Sequence, residues 1–71
     1  MKWRTFLIDL PAIGQEILIW NICKKEVNGD DIHSFFLCSS NDYKKIAGEN
    51  NMNYQYTFWI PFNTKKEREN L

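Results

Sequence analysis

The sequence predicts a mainly β fold: a single small antiparallel sheet of three or four strands built around a central hairpin, with at most one short helix at about 41–47. A β-rich α+β arrangement is the alternative. Three observations predict this. β-branched and aromatic residues concentrate in three short runs, Ile17 to Cys23, Ile32 to Cys38 and Tyr54 to Phe62, which have the length and composition of strands. Polar, turn-rich stretches separate the runs, and one contains Asn28-Gly29, a strong short-range signal for a two-residue hairpin turn. Finally, nearly all of the 3 Trp, 3 Tyr and 5 Phe lie in these runs or in Trp3 to Phe6.

The stretch Trp3 to Ile13 is dense in apolar residues but irregular, and Pro11 and Gly14 rule out a helix through it. It is expected to be extended, with Trp3, Phe6 and Ile8 laid over the sheet. Leu10-Pro11 ends this segment and Gly14 permits a tight turn. Trp3 and Trp59 are expected to meet as core anchors.

Gln15 to Lys25 forms the first long strand, and Ile32 to Cys38 returns beside it. With Asn28-Gly29 as a two-residue loop, Ile22 pairs with Phe35 and Trp20 with Leu37. With a four-residue loop from Asn28 to Asp31, Ile22 pairs with Leu37 and Glu26 with His33. Both registers keep the same faces, because side chains alternate with period two. Leu18, Trp20 and Ile22 lie with Phe35 and Leu37; Ile17, Ile19 and Cys23 lie with Phe36 and Cys38. The first set, with Phe58 and Ile60 and with Trp3 closing one end, is the expected core.

The same spacing bears on the two cysteines. In the two-residue register Cys23 and Cys38 stand more than about 13 Å apart along the strand, at about 3.4 Å per residue, outside the reach of a disulfide. They are expected to be free thiols, in keeping with a cytoplasmic protein.

From Ser39 to Asn53 the chain is polar. Ser40 or Asn41 caps the short helix, and Gly48 ends it. Tyr54 to Ile60 reads as a third strand, with Tyr54, Tyr56, Phe58 and Ile60 on one side and Gln55, Thr57 and Trp59 on the other. Pro61 has no amide donor, so this strand ends there or lies at an edge. The domain is expected to span residues 1–62, with 63–71 as a charged, flexible tail.

A chain of 71 residues makes one domain. Its 9 Lys and Arg balance its 9 Asp and Glu, which weighs against general nucleic-acid binding and against an anionic membrane surface, since both require a basic footprint. No segment approaches the length of a membrane span. The start, Met1 to Pro11, has a basic residue before apolar ones, but Asp9 and Pro11 interrupt it too early for a signal peptide.

The two ends of the chain carry a pattern: Trp3, Leu10-Pro11, Gly14 and the aliphatic strand Ile17-Leu18-Ile19-Trp20, then Trp59-Ile60-Pro61-Phe62. This resembles a family of small phage and prophage proteins of unknown function, which share an early Trp, a Leu-Pro, a Gly, an aliphatic strand and a late Trp-x-Pro-Leu-Pro. The resemblance covers about 20 positions at the two ends and none of the middle. The chain departs from it at Phe62, where Leu is expected, and at Asn63, where a second Pro is expected. The resemblance implies phage origin, a bacterial host and a compact β-rich fold, and it carries over no catalytic residue.

No catalytic constellation is found. His33 is the single histidine, and with Cys23 and Cys38 it offers at most three soft ligands, without metal-site spacing. His33 falls on the opposite face from the cysteines, which also defeats a Cys-His nucleophile. The glycines are too far apart for a phosphate loop, and Glu26, Asp30 and Asp31 surround a hairpin turn, where water solvates them. The reading is therefore no enzyme, no metal and no cofactor.

What remains is a small protein-binding module that occludes a host or defence protein or associates with itself as a homodimer. The central hairpin is apolar on both faces. The side carrying Ile17, Ile19, Phe36 and Cys38 needs a cover from the N-terminal arm, from residues 40–52 or from another chain. Ile19, Phe36, Tyr54, Tyr56 and Trp59 are the candidate binding residues, the aromatic ones being of the type enriched at interfaces. The alternative is single-stranded nucleic-acid or nucleotide binding, with Tyr54 and Tyr56 stacking bases on one strand face and Lys24, Lys25, Lys44 and Lys45 meeting phosphate.

Overall fold

The computed structural model describes residues 2–24 and 29–62. Four strands form one antiparallel sheet: β1 (Arg4–Thr5), β2 (Glu16–Lys24), β3 (Asp31–Ser39) and β4 (Thr57–Pro61). Their spatial order is β1-β4-β2-β3. A 3-10 turn, Ser40–Asp42, leads into a short helix, α1 (Tyr43–Glu49), and a second 3-10 turn, Tyr54–Tyr56, leads into β4. The fold is mainly β, as expected. Among the described residues, no helix is long and apolar enough to cross a membrane. The expected tail, 63–71, and Lys25 to Asn28 lie outside the described residues.

β2 pairs with β3 over its full length, from Glu16 opposite Ser39 to Lys24 opposite Asp31. Ile22 therefore faces His33, and Trp20 faces Phe35. Neither expected partner of Ile22, Phe35 or Leu37, is the one observed, although the faces are kept. The register is pinned at the end away from the Asn28-Gly29 connection. Ser40 N–H donates to the Gln15 carbonyl at 2.7 Å, Ser40 Oγ donates to the Ala12 carbonyl at 2.6 Å, and Gln15 N–H donates to Ser40 Oγ at 3.1 Å. Gly14, with a positive φ of 77°, turns the chain there and donates its N–H to Asn41 Oδ1. Ser40 thus locks this corner rather than capping the helix. Ser39 caps the preceding 3-10 turn, its Oγ accepting from Asn41 N–H, while the N-cap of α1 is Asp42, without a side-chain cap bond.

The helix also runs past the expected stop at Gly48. It closes with Asn51 in the left-handed region at φ 51°. Met52 N–H donates to the Ala47 carbonyl and Asn51 N–H to the Gly48 carbonyl, the paired bonds of a Schellman motif.

The tightly packed side of the sheet is the one opposite to expectation. Ile17, Ile19 and Trp59 are at most 1% exposed and form a cluster with Phe6, while Phe36, Cys38, Tyr43, Met52 and Tyr54 pack around them. The arm and the 40–54 segment together supply the cover. The Phe6 ring stacks on Tyr43 at 4.5 Å and meets Tyr54 at 5.8 Å. On the side expected to be core, Phe35 is 58% and Leu37 is 51% exposed, Trp3, Trp20, Ile22 and Phe58 are half-buried, and only Ile60 is closed off. Ile8, expected over the sheet, is exposed. Trp3 does not meet Trp59; its ring packs on Trp20.

Tyr54 to Tyr56 are not strand. Asn53 Oδ1 accepts from Gln55 N–H at 2.9 Å, and its carbonyl accepts from Tyr56 N–H at 2.9 Å. This local side-chain turn outcompetes the extended conformation that the alternation suggests. β4 begins only at Thr57, lies between β1 and β2, and ends at Pro61, so it is an inner strand rather than an edge. Pro61 is tolerated because β1 reaches only Phe58 and Trp59.

Candidate functional site

The side of the sheet away from α1 carries an aromatic patch centred on Trp20. Pairing places Phe35 and Phe58 on either side of Trp20, on β3 and β4. Its ring centroid lies 5.3 Å from Trp3, 5.4 Å from Phe58, 5.7 Å from His33 and 6.3 Å from Phe35. The indole Nε1–H donates to His33 Nδ1 at 3.0 Å, so that nitrogen is the unprotonated one of the ring. Trp20 is thus near-parallel to His33 and Phe35 and tilted against Trp3 and Phe58, and Leu37 extends the patch beside Leu18. Glu16 stands at one end of the pairing, and Asp31 opposite Lys24 at the other.

A second feature lies on the other side, where α1 ends. A cleft of about 430 Å³ is lined by Asn21, Cys23, Ser34, Phe36, Asn53 and Tyr56, among others, and none of the described side chains that line it is charged. Asn21 is 7% exposed. Thr57 Oγ1 lies 2.6 Å from the Asn53 carbonyl oxygen and 2.9 Å from Asn21 Oδ1. One hydroxyl has one proton, and the shorter contact to the carbonyl takes it. Turning the Asn21 amide, so that its NH2 donates to Oγ1, then satisfies both contacts.

The five expected binding residues divide between these settings and the core. Ile19 and Trp59 are sealed in the core at 1% exposure and offer no surface. Tyr54 is half-buried against Phe6 and Tyr43; burial, and then the neighbouring Tyr43, raises its phenol above the ordinary value. Phe36 and Tyr56 come together on the cleft. Tyr54 and Tyr56 do not form a strand-borne stacking platform, because both sit in the 3-10 turn. The residues that form the patch, Trp3, Trp20, Phe35, Leu37 and Phe58, read as core in the sequence; their alternation equals that of the buried set, so the sequence carries no signal to separate the two.

Cys23 is exposed and Cys38 half-buried, and both are free thiols. Burial, and then the nearby Asp42 carboxylate, raises the Cys38 pKa. Among the described residues no group of three or more His, Cys, Asp or Glu could hold a metal ion. His33 falls on the face opposite the cysteines. Comparison with known proteins finds no matching family model, curated protein or solved structure.

Proposed function

We infer that this protein is a small, non-enzymatic docking module that binds another protein chain through the aromatic side of its sheet. One observation carries the reading: Phe35 and Leu37, 58% and 51% exposed, extend a row of rings centred on Trp20 on the sheet side that neither the arm's Phe6 nor α1 covers. Contiguous exposed aromatic surface on a small domain marks an interaction site, and Trp and Phe are residues that carry interface energy. The resemblance of the chain's ends to small phage proteins points to a partner in a bacterial host, and the free thiols suit a reducing cytoplasm.

The nucleic-acid reading is weaker on the same surface. A base-stacking platform needs cations beside the rings, and the described residues put Glu16 at one end of this pairing and Lys24 opposite Asp31 at the other, where the acid offsets the lysine. Lys44 and Lys45 sit on α1, across the sheet.

The test is affinity capture with chemical cross-linking, comparing the parent with Phe35→Glu and with Lys44→Glu on the helix side. Loss of the bound chain in Phe35→Glu and its retention in Lys44→Glu is the expected result. Unchanged capture by a folded Phe35→Glu overturns the reading.

A further inference from the structure

We propose that a second copy of this protein joins it edge to edge along β3; this rests on the docking reading above only for the part of the aromatic side that β3 carries, Phe35 and Leu37, and names the partner there. β3 is the outer strand of the sheet, nine residues long, and among the described residues the main-chain groups on its free side have no strand to pair with. Proteins that stay monomeric blunt such an edge with lysine, proline, a bulge or very short length. The segment Asp-Ile-His-Ser-Phe-Phe-Leu-Cys-Ser from 31 to 39 contains no lysine, arginine or proline, and its pairing to β2 runs without a bulge. The strongly exposed large apolar residues of the sheet strands, Ile32 at 43%, Phe35 at 58% and Leu37 at 51%, are all on this strand.

The strand is also complementary to its own reverse, the requirement of a two-fold interface. Full overlap of two antiparallel copies sets one register, with Phe35 on the symmetry axis opposite Phe35 of the second copy. His33 then faces the second copy's Leu37, Ser34 its Phe36, and Ile32 its Cys38. The single acid, Asp31, meets Ser39 rather than another charge. The aromatic rows of the two copies become continuous across the junction, and the zero formal net charge of the chain sets no long-range repulsion against pairing. A standard interface removes about 800 Å² from each partner, roughly a seventh of the 5536 Å² surface.

The test is sedimentation equilibrium of the intact chain over a wide range of concentration, together with a cysteine cross-link. The mass is expected to rise to twice 8.5 kDa, and Phe35→Lys, checked by circular dichroism to be folded, is expected to stay at the monomer mass. In a Cys23→Ser background, which removes the exposed thiol, Phe35→Cys is expected to give a covalent dimer under mild oxidation while Cys23→Ser alone gives none, because the register sets Cys38 against Ile32 and not against its own copy. A parent that is monomeric throughout, or a dimer that survives Phe35→Lys, or a dimer in which Phe35→Cys does not link, overturns the proposal. A monomeric parent that captures a different protein through Phe35 overturns the dimer and leaves the docking reading standing. A dimer that survives Phe35→Lys, in a chain whose capture also survives Phe35→Glu, overturns both.

Discussion

The indole N–H of Trp59 donates to the main-chain carbonyl of Asp9 at 2.9 Å, across 50 positions of sequence. It ties the N-terminal arm to the core strand, and the Phe6 ring lies 6.1 Å from the Trp59 ring on the same side of the sheet. Arg4 completes the arrangement, with its guanidinium 5.2 Å from the Trp59 ring centroid, within cation–π range.

Trp59 is therefore expected to outweigh Trp20 in stability. Trp59→Phe loses one hydrogen bond and part of the ring volume, roughly 1–3 kcal/mol. Trp59→Ala is expected to unfold a domain this small, since emptying a buried aromatic site costs about 3–5 kcal/mol and the total stability of such a domain is of the same order. Trp20→Ala, on the half-exposed side, is expected to remain folded. Urea denaturation followed by circular dichroism orders the three; equal losses at Trp20 and Trp59 would mean that both sides are closed.

Thr57 supplies a second test. It is 1% exposed, and its hydroxyl serves both the Asn53 carbonyl and the Asn21 amide. Thr57→Val keeps the shape and removes both contacts, with an expected loss of about 1–3 kcal/mol for the polar groups left unpaired. Thr57→Ser is expected to retain most of the stability. If Val and Thr give the same urea midpoint, this polar link contributes nothing.

The helix terminus depends on Asn51. At φ 51° a side chain with a Cβ is strained, and Asn is among the few non-glycine residues that accept this conformation. Asn51→Ala is expected to lower stability by about 1 kcal/mol, and Asn51→Gly to leave it unchanged or raise it. Thermal melts of the two variants against the parent decide the matter.

The thiols are expected to react unequally. Burial and Asp42 hold the Cys38 thiol protonated above its usual range, so at neutral pH it alkylates more slowly than the exposed Cys23. Peptide mapping after brief alkylation measures the ratio. The raised values at Cys38 and Tyr54 also set a direction for stability. In each case the unfolded chain loses its proton first as pH rises, so the contribution is intact below the unfolded values, about 8.5 for Cys and 10 for Tyr, and declines above them. Denaturation midpoints that rise between neutral and strongly alkaline pH would contradict this.

The strands of the hairpin and the composition of its two faces were legible because side-chain alternation is a local property. Which face is covered was not, because Phe6, Tyr43 and Tyr54 converge on Ile17, Ile19 and Trp59 from distant parts of the chain. Equal apolar content on both faces left nothing in the alternation to decide between them. The hairpin register failed for a related reason: the Asn28-Gly29 signal drew attention to one end of the hairpin, while Ser40 fixes the other through Gln15 and Ala12. Tyr54 and Tyr56 alternate with Phe58 as a strand would, yet a single asparagine one position upstream is enough to wind them into a turn.

The pairing of β1 with β4 sets Arg4 opposite Trp59, and it bears on how the chain matures on the ribosome. Arg4 and Thr5 find their place in the sheet only after β4 has been translated. Until Trp59 emerges, the nascent hairpin of β2 and β3 leaves Ile17 and Ile19 without their β4 neighbours and the arm without its tie to the core. Contacts of this sequence separation slow folding, and exposed strand edges in partly made chains promote aggregation. A ribosome-arrested chain that ends before Trp59 should therefore be protease-sensitive and chaperone-bound, and one that extends well past Pro61 should be neither.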